Sequence, residues 1–562
     1  MSAYDDFQRH FAEINDLCCV INLLTWDART QMPAGGAATR GEQLATVTRL
    51  AQERFIGDET ARLLDAAQEE VSGDLPDSHR VRAVYQALES YDIARSIPVA
   101  LMGDIAALKV TAQQAWADAK ATNTFAGFAP YLQQMLDLTR RMADAIGYRE
   151  HPYDALLLRY EPGMTAARLA ALFEVLKAGL LPLLDQIGDR SEGVRADFLD
   201  RDYPEDTQRA FALEIAEAFG YDLTRGRLDR SAHPFEISLT RQDVRITTRY
   251  NRRYAPMALF GTLHETGHAL YEQGVDPSLS RGVLTTDLMD LYAVGGASYG
   301  THESQSRLWE NLVGRSRVFW QLHFPRLHAH FPEQLAGVDA EAFYRAVNRV
   351  RPSLIRVEAD EVTYNFHIML RVEIEMALLE GSLEVADLPE AWNAAMQKTL
   401  GLTPPDDARG VLQDIHWSTG LFGSFPTYTI GNVMSAQFFA AARRDLPGLG
   451  DALARGAYAP LRGWLTEHVY RHGRAFSPDV TAAAVNGQRP DCGAIPGLPG
   501  SEVQRPLPAR AVAQHNWTRE QAAEDLLSPG WRHHVYSQTS LTPWGSAIKN
   551  ASFSYRTGFE YR

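Results

Sequence analysis

Cysteine is scarce in this chain: Cys18, Cys19 and Cys492 are the only three in 562 residues. Neighbouring cysteines rarely bridge each other, and no Cys-x-x-Cys is present. Neither a disulfide framework nor a thiolate zinc site can be built, and a reducing compartment, the cytoplasm, is expected. Long apolar runs are missing too. No uninterrupted stretch reaches membrane-spanning length, and the opening Met1-Ser-Ala-Tyr-Asp-Asp6 lacks the apolar centre of a signal peptide. An excess of positive charge is also absent. A formal net charge of −15 argues against a nucleic-acid partner, which needs a basic face. No repeat of fixed period occurs, which removes solenoids and propellers.

What is present is a hydrophobic content of 45%, enough for a sizeable core. A chain of this length can form several domains or one continuous helical body. Apolar residues recur at three- and four-residue spacing over 3–30, 36–54, 58–72, 78–122, 127–146, 166–189 and 205–220, which predicts helices. After the break at Glu161-Pro-Gly163, Thr165 is placed to cap a helix starting at Ala166. Over 232–250 the pattern changes. Ile237, Leu239, Val244 and Ile246 alternate with polar residues, which predicts two antiparallel strands joined near Arg241-Gln242. Helices then resume to about residue 473, punctuated by Pro404-Pro405. The reading is a mainly α body over 1–480, with a Gly/Pro-rich linker and weakly ordered tail over 481–562.

The chemistry is concentrated in Leu263-His-Glu-Thr-Gly-His-Ala-Leu270. On a helix, residues four apart stack on nearly one face, so His264 and His268 can each give a nitrogen to one divalent cation. Glu265 stands beside that cation, where it can take a proton from an attacking water. Two histidines at this spacing also arise by accident on surface helices, so the flanks matter. Met257, Leu259, Phe260, Ala269, Leu270 and Tyr271 are apolar or aromatic, which predicts a buried helix that excludes bulk water. Gly267 leaves room for a neighbouring backbone or a substrate. A third ligand is needed. Glu272 shares the same helix, and closure is easier from another element: Asp287, Asp290, His302, Glu303 and Glu310 are the candidates.

The stretch Thr301-His-Glu-Ser-Gln-Ser-Arg-Leu-Trp-Glu-Asn311 resembles the second metal motif of the carboxypeptidase Taq family, the M32 metallopeptidases. Further motifs follow in that family's order: His233-Pro-Phe235, Asp243-Val-Arg-Ile-Thr247, Ile355-Arg-Val-Glu-Ala-Asp360, Gly410-Val-Leu-Gln-Asp-Ile-His-Trp417 and Phe425-Pro-Thr-Tyr-Thr-Ile-Gly-Asn432. Trp26-Asp27, Met32-Pro33 and Gly35-Gly36 are similar as well, so the likeness spans about residues 5–480. The resemblance implies a large helical gluzincin-type body with a deep groove and a small sheet beside the metal. It implies His264, His268 and Glu303 as metal ligands and Glu265 as general base. It also implies one divalent metal per chain, zinc or cobalt, a homodimer, and release of single C-terminal residues from peptides with broad specificity.

A carboxypeptidase must sense the free C-terminal carboxylate, and Arg356 is the candidate because a guanidinium can donate two parallel hydrogen bonds. Arg356 and Asp360, four apart, can also pair within a helix, and Asp360 could then hold the arginine in place. Arg351 is a rival, but it precedes Pro352 and is expected in a turn. Asp243, Arg245 and Thr247 fall on one face of a strand whose edge could pair with an extended peptide. The same alternation also suits a hairpin that simply covers the core. Gln413 and Asp414 are expected to support the site, Asp414 by orienting a ligating histidine. His416 or Tyr428 could donate to the oxyanion, and His302 and His233 could line the substrate site. Two departures from the family stand out. Leu284–Tyr292 reads as an extra loop carrying Asp287 and Asp290, and Ser424 stands where relatives carry tyrosine. Two other readings use the same residues: an endo-acting oligopeptidase without a carboxylate clamp, and an inactive metal-binding scaffold.

Overall fold

The computed structural model describes residues 2–486, so most of the expected linker and tail lies outside the described residues. The body is mainly helical, as expected. Helix Ala3–Thr30 starts from a reciprocal cap: Asp5 N–H donates to Ser2 Oγ at 3.2 Å, and Ser2 N–H donates to the Asp5 carboxylate at 3.0 Å. Its Phe7, Phe11, Ile14 and Cys18 fall on one buried face at helical spacing. Thr165 caps helix Ala166–Ile187 by accepting from Arg168 N–H at 3.2 Å. The single helix expected over 78–122 is two, His79–Ser96 and Val99–Thr122. Pro98 lacks an N–H and disfavours helical backbone in the residue before it, so the run stops there and restarts. Helix Pro152–Tyr160 was not expected from periodicity. Its first turn is capped by His151 Nδ1, which accepts from Tyr153 N–H at 2.9 Å. Among the described residues, no helix is long and apolar enough to cross a membrane.

The alternating segment forms strands β2 (Glu236–Thr240) and β3 (Asp243–Thr248), antiparallel and turning at Arg241-Gln242 as expected. A third strand, β1 (Gly226–Arg230), lies parallel to β3 on its other side, giving the order β1-β3-β2. This corrects the proposed edge: β3 is hydrogen-bonded on both sides and has no free edge for a peptide. The alternation also fails after Ile246, because Thr247 and Thr248 are both buried. Thr247 Oγ1 accepts from Phe235 N–H, and Thr248 Oγ1 donates to Ala258 O.

Leu284–Tyr292 is not a surface loop. It contains the strand pair Thr286–Asp287 with Tyr292–Ala293, and Val283, Leu284, Leu288 and Leu291 pack into the core built by Phe7, Phe11 and Ile14. Asn15 donates to Thr286 Oγ1 at 2.7 Å, and Asn22 donates to the carbonyls of Ser238 (2.7 Å) and Ala293 (3.0 Å). The first helix thus clamps both small sheets together. Two long segments inside the region expected to be helical, residues 348–363 and 401–425, carry only short 3₁₀ turns. Their backbones are fixed by side chains, and they bear Arg356, Asp360, Gln413, Asp414 and His416. Helix Pro478–Val485 runs across residue 480, and Val485 is buried in the main core.

Candidate metal centre and substrate site

Helix Ala255–Gly274 carries His264, Glu265 and His268, with Leu259, Phe260, Leu263, Ala269, Leu270 and Tyr271 buried around them. Gly267 has the predicted role of admitting a neighbouring backbone. A Cβ there would lie 2.4 Å from Gln305 O and 2.6 Å from Ser306 Cα, so helix Tyr299–Arg307 can lie directly against it. That second helix begins at Ser298, whose Oγ accepts from Thr301 N–H at 2.9 Å. It delivers Glu303 to the histidines. Glu303 Oε2 lies 3.4 Å from His264 Nε2 and 3.3 Å from His268 Nε2, and donor atoms of the three residues all lie within 4.8 Å of one another. On the far side, Gly431 in helix Pro426–Asp445 makes room, since a Cβ there would lie 2.6 Å from Glu303 Cγ.

The remaining atoms of the trio are held from outside. Glu303 Oε1 accepts from Arg307 Nε at 2.7 Å, and Oε2 accepts from Ser306 Oγ at 2.9 Å. His264 Nδ1 lies 2.9 Å from Glu310 Oε2, which turns Nε2 inward. Glu310 in turn accepts from Arg315 Nη2 at 2.9 Å. The helix widens into a π turn over Leu308–Gly314 where Glu310 sits. His268 Nδ1 is buried with no hydrogen-bond partner among the described residues, and its ring stacks on His302 at 4.4 Å.

Burial and charge act against each other here. Burial opposes charge on His264, but Glu303, Glu310 and Glu265 outweigh it and raise its basicity well above the usual histidine range. Burial, then the neighbouring His302, lowers His268 to about 3. Burial is also the main cause that lifts Glu265 to about 8, with Glu303, Glu236 and Glu310 adding to it against the opposing His264. Glu303 stays well below the carboxylate range despite burial, because Arg307 and then His264 face it. Two inward imidazole nitrogens and a buried ionised carboxylate are the donor set a divalent cation takes, so these residues fit such a metal.

A second cluster forms on the two irregular segments. Arg356 Nε and Nη2 both donate to Asp414 Oδ1, at 3.1 and 2.9 Å, and Nη1 donates to Tyr364 Oη at 2.9 Å. Arg371 Nε donates to Asp414 Oδ2 at 2.7 Å, and Arg371 Nη2 to Gln413 Oε1 at 2.7 Å. Gln413 Oε1 also accepts the Arg356 backbone N–H at 3.0 Å, which helps to hold the arginine. The Arg356 guanidinium lies 5.0 Å from the Tyr428 ring and 5.7 Å from that of Phe425. His416 Nε2 is 3.2 Å from Tyr428 Oη, and burial lowers its basicity to about 3, leaving it neutral.

Several expectations need correction. Arg356 sits in a 3₁₀ turn, not a helix, and does not pair with Asp360. Asp360 accepts from the N–H groups of Val362, Thr363 and Arg351 and shapes its own turn. Asp414 orients no ligating histidine, because both its oxygens are taken by the two arginines. His302 lies 3.1 Å from buried Glu272 and stacks against His268, so it backs a ligand instead of facing a substrate. Glu272 also pairs with Arg241 and accepts from Gly295 N–H at 2.9 Å. Asp243 and Arg245 satisfy each other at 2.7–2.8 Å, with Arg245 4.2 Å over the Trp26 ring. Asp290 binds Arg159, and Asp287 faces Arg474 at 3.4 Å; neither joins the metal trio. His233 is exposed. Ser424 Oγ donates to Leu421 O at 2.7 Å within its own turn.

Arg307, Tyr364 and Arg371 are not among the residues the sequence singles out, and Glu310 enters it only as a candidate ligand. Arg307 and Glu310 lie four and seven residues after Glu303, which is one helical face, so periodicity from Glu303 would have found both. Tyr364 and Arg371 carried no local signal, because their partners are eight and 43 residues away.

Residues 6–495 match the family described as carboxypeptidase Taq (M32) metallopeptidase. The chain is 43% identical over 495 residues to thermostable carboxypeptidase 1 of Thermus thermophilus, covering 86% of this chain and 94% of that one. It is 39% identical over 471 residues to carboxypeptidase 1 of Bacillus subtilis, covering 83% and 92%. Among solved structures, the M32 carboxypeptidase from Deinococcus radiodurans R1 superposes with a TM-score of 0.82 at 42% identity, covering 88% of this chain and 97% of that one. Trypanosoma cruzi metallocarboxypeptidase 1 gives 0.81 at 31% identity, with the same coverage.

Proposed function

Since this chain belongs to the carboxypeptidase Taq (M32) family of metallopeptidases, we propose that it removes single C-terminal residues from peptides, with broad specificity, using one divalent metal. The observation that carries this reading is the convergence of His264 Nε2, His268 Nε2 and Glu303 Oε2 on one point. Those three atoms would hold zinc, with cobalt an alternative that the same donors accept. When bound, the cation supplies Lewis acidity, polarising the scissile carbonyl and making a water acidic near neutral pH.

The protein's own groups do the rest. Glu265, buried one residue from His264, takes a proton from the attacking water and passes it to the leaving amine as the C–N bond breaks. Arg356 takes the substrate's C-terminal carboxylate, and Tyr428, backed by His416, donates to the developing oxyanion. Gln413, Asp414 and Arg371 keep Arg356 in place. A homodimer and a cytoplasmic location complete the proposal. Free Cys18 and Cys19 suit a reducing compartment, and burial raises the Cys19 thiol to about 11, keeping it unreactive.

The test is incubation of metal-loaded protein with a free-acid peptide and its C-terminal amide, read by mass. A ladder of single losses from the acid alone is expected. Equal cleavage of the amide would favour an endo-acting oligopeptidase, and tight metal binding without turnover would leave a scaffold.

A further inference from the structure

The metal trio and the Arg356 cluster meet at one side chain. Tyr364 opens helix Tyr364–Glu380 and is 6% exposed. Its backbone N–H donates to Asp360 O at 2.9 Å, so the turn shaped by the Asp360 carboxylate sets its position. The Arg307 guanidinium lies 4.5 Å from its ring centroid, and its hydroxyl accepts from Arg356 Nη1. Arg307 is the residue that holds Glu303 Oε1.

We propose that Tyr364 is a positioning residue that ties the metal ligand Glu303 to the carboxylate-binding Arg356, through Arg307 on its ring and Arg356 on its hydroxyl. The inference rests on Arg356 as the carboxylate clamp. A desolvated guanidinium is drawn to an aromatic face. With that face fixed, Arg307 directs Nε at Glu303 Oε1, leaving Oε2 turned to the histidines. A guanidinium has five N–H groups. Asp414 takes two from Arg356 and Tyr364 takes a third, which leaves one on each terminal nitrogen to meet a carboxylate. Without the hydroxyl, Nη1 loses its only acceptor among the described residues and the guanidinium can turn about the Asp414 contact.

The experiment compares Tyr364→Phe, Tyr364→Leu and Arg356→Met with the parent. Zinc affinity is read by competition with a chromophoric chelator, and kcat and KM on a free-acid peptide at saturating zinc. Tyr364→Phe keeps the ring, so zinc affinity and kcat should stay within about threefold while KM rises about tenfold, the scale of one charged hydrogen bond. Tyr364→Leu should in addition weaken zinc about tenfold or more, as outer-shell losses do. If it does not fold, Arg307→Lys carries that arm with the same expected loss. An unchanged KM in Tyr364→Phe beside a raised KM in Arg356→Met overturns the link alone. An unchanged KM in Arg356→Met overturns the clamp and the link together. Zinc affinity in Tyr364→Leu, or in Arg307→Lys where that arm is used, equal to the parent's overturns the Arg307 half.

Discussion

Gly431→Ala tests the architecture of the metal centre with one methyl group. The added Cβ would stand 2.6 Å from Glu303 Cγ, 2.8 Å from Glu303 Cβ and 3.2 Å from the Glu303 carbonyl carbon. Carbon atoms in contact prefer about 3.5–4.0 Å, so the overlap is on the order of 1 Å. Glu303 cannot swing aside freely, because Arg307 holds one oxygen and Ser306 the other. Helices Pro426–Asp445 and Tyr299–Arg307 must part, or Glu303 must leave its place. Overpacking costs about 1–3 kcal/mol. Alanine recovers about 1 kcal/mol of helix propensity, so the net loss of stability should be about 0–2 kcal/mol. A ligand displaced by more than about 0.5 Å no longer fits its metal geometry, so zinc affinity should fall by at least about tenfold. The assay is chelator competition for zinc, beside thermal unfolding of the metal-free protein. Gly103→Ala is the control. It lies within helix Val99–Thr122 with nothing inside 4 Å of the added Cβ, so it should stabilise by about 0.5–1 kcal/mol and leave zinc untouched. Zinc affinity within threefold of the parent in Gly431→Ala would refute the reasoning.

Glu310→Gln removes the anion on His264 Nδ1 and should weaken zinc about 10–100-fold, read by the same competition. Glu265→Gln should lower kcat by about 10²–10⁴ while zinc still binds; turnover near the parent's would exclude Glu265 as the proton carrier. Glu161, buried and accepting from Gly300 N–H at the start of the Glu303 helix, is raised by burial from 4.5 to about 8. A raised carboxyl contributes stability that is full below its unfolded pKa and lost as pH climbs through the folded one. Glu161→Gln should therefore gain on the parent by roughly 1–3 kcal/mol between pH 5 and pH 8, measured by denaturant unfolding of the metal-free proteins; a difference that does not change with pH would contradict this.

Helices were legible wherever one face was apolar over several turns, as in Phe7, Phe11 and Ile14, and so was the β2–β3 hairpin. The segment Leu284–Tyr292 is not legible as core because its apolar run is short and its partners lie on the first helix, some 270 residues away. On paper Asp360 is the partner for Arg356, while Asp414 is assigned to a ligating histidine. Four-residue spacing favours Asp360 only on a helix, and the chain around Arg356 is a 3₁₀ turn.

Sequence alone determined His264, Glu265 and His268 as a group, because helical geometry acts over one turn and needs nothing from the rest of the chain. With the family's motifs beside it, it also singled out Glu303. Tertiary structure alone decided that β3 is interior, that Asp414 and not Asp360 holds Arg356, and that Arg307 and Tyr364 join the two halves of the site. Those outcomes depend on which distant surfaces pack together, and burial of charge makes each buried arginine find the carboxylate or ring that packing brings to it.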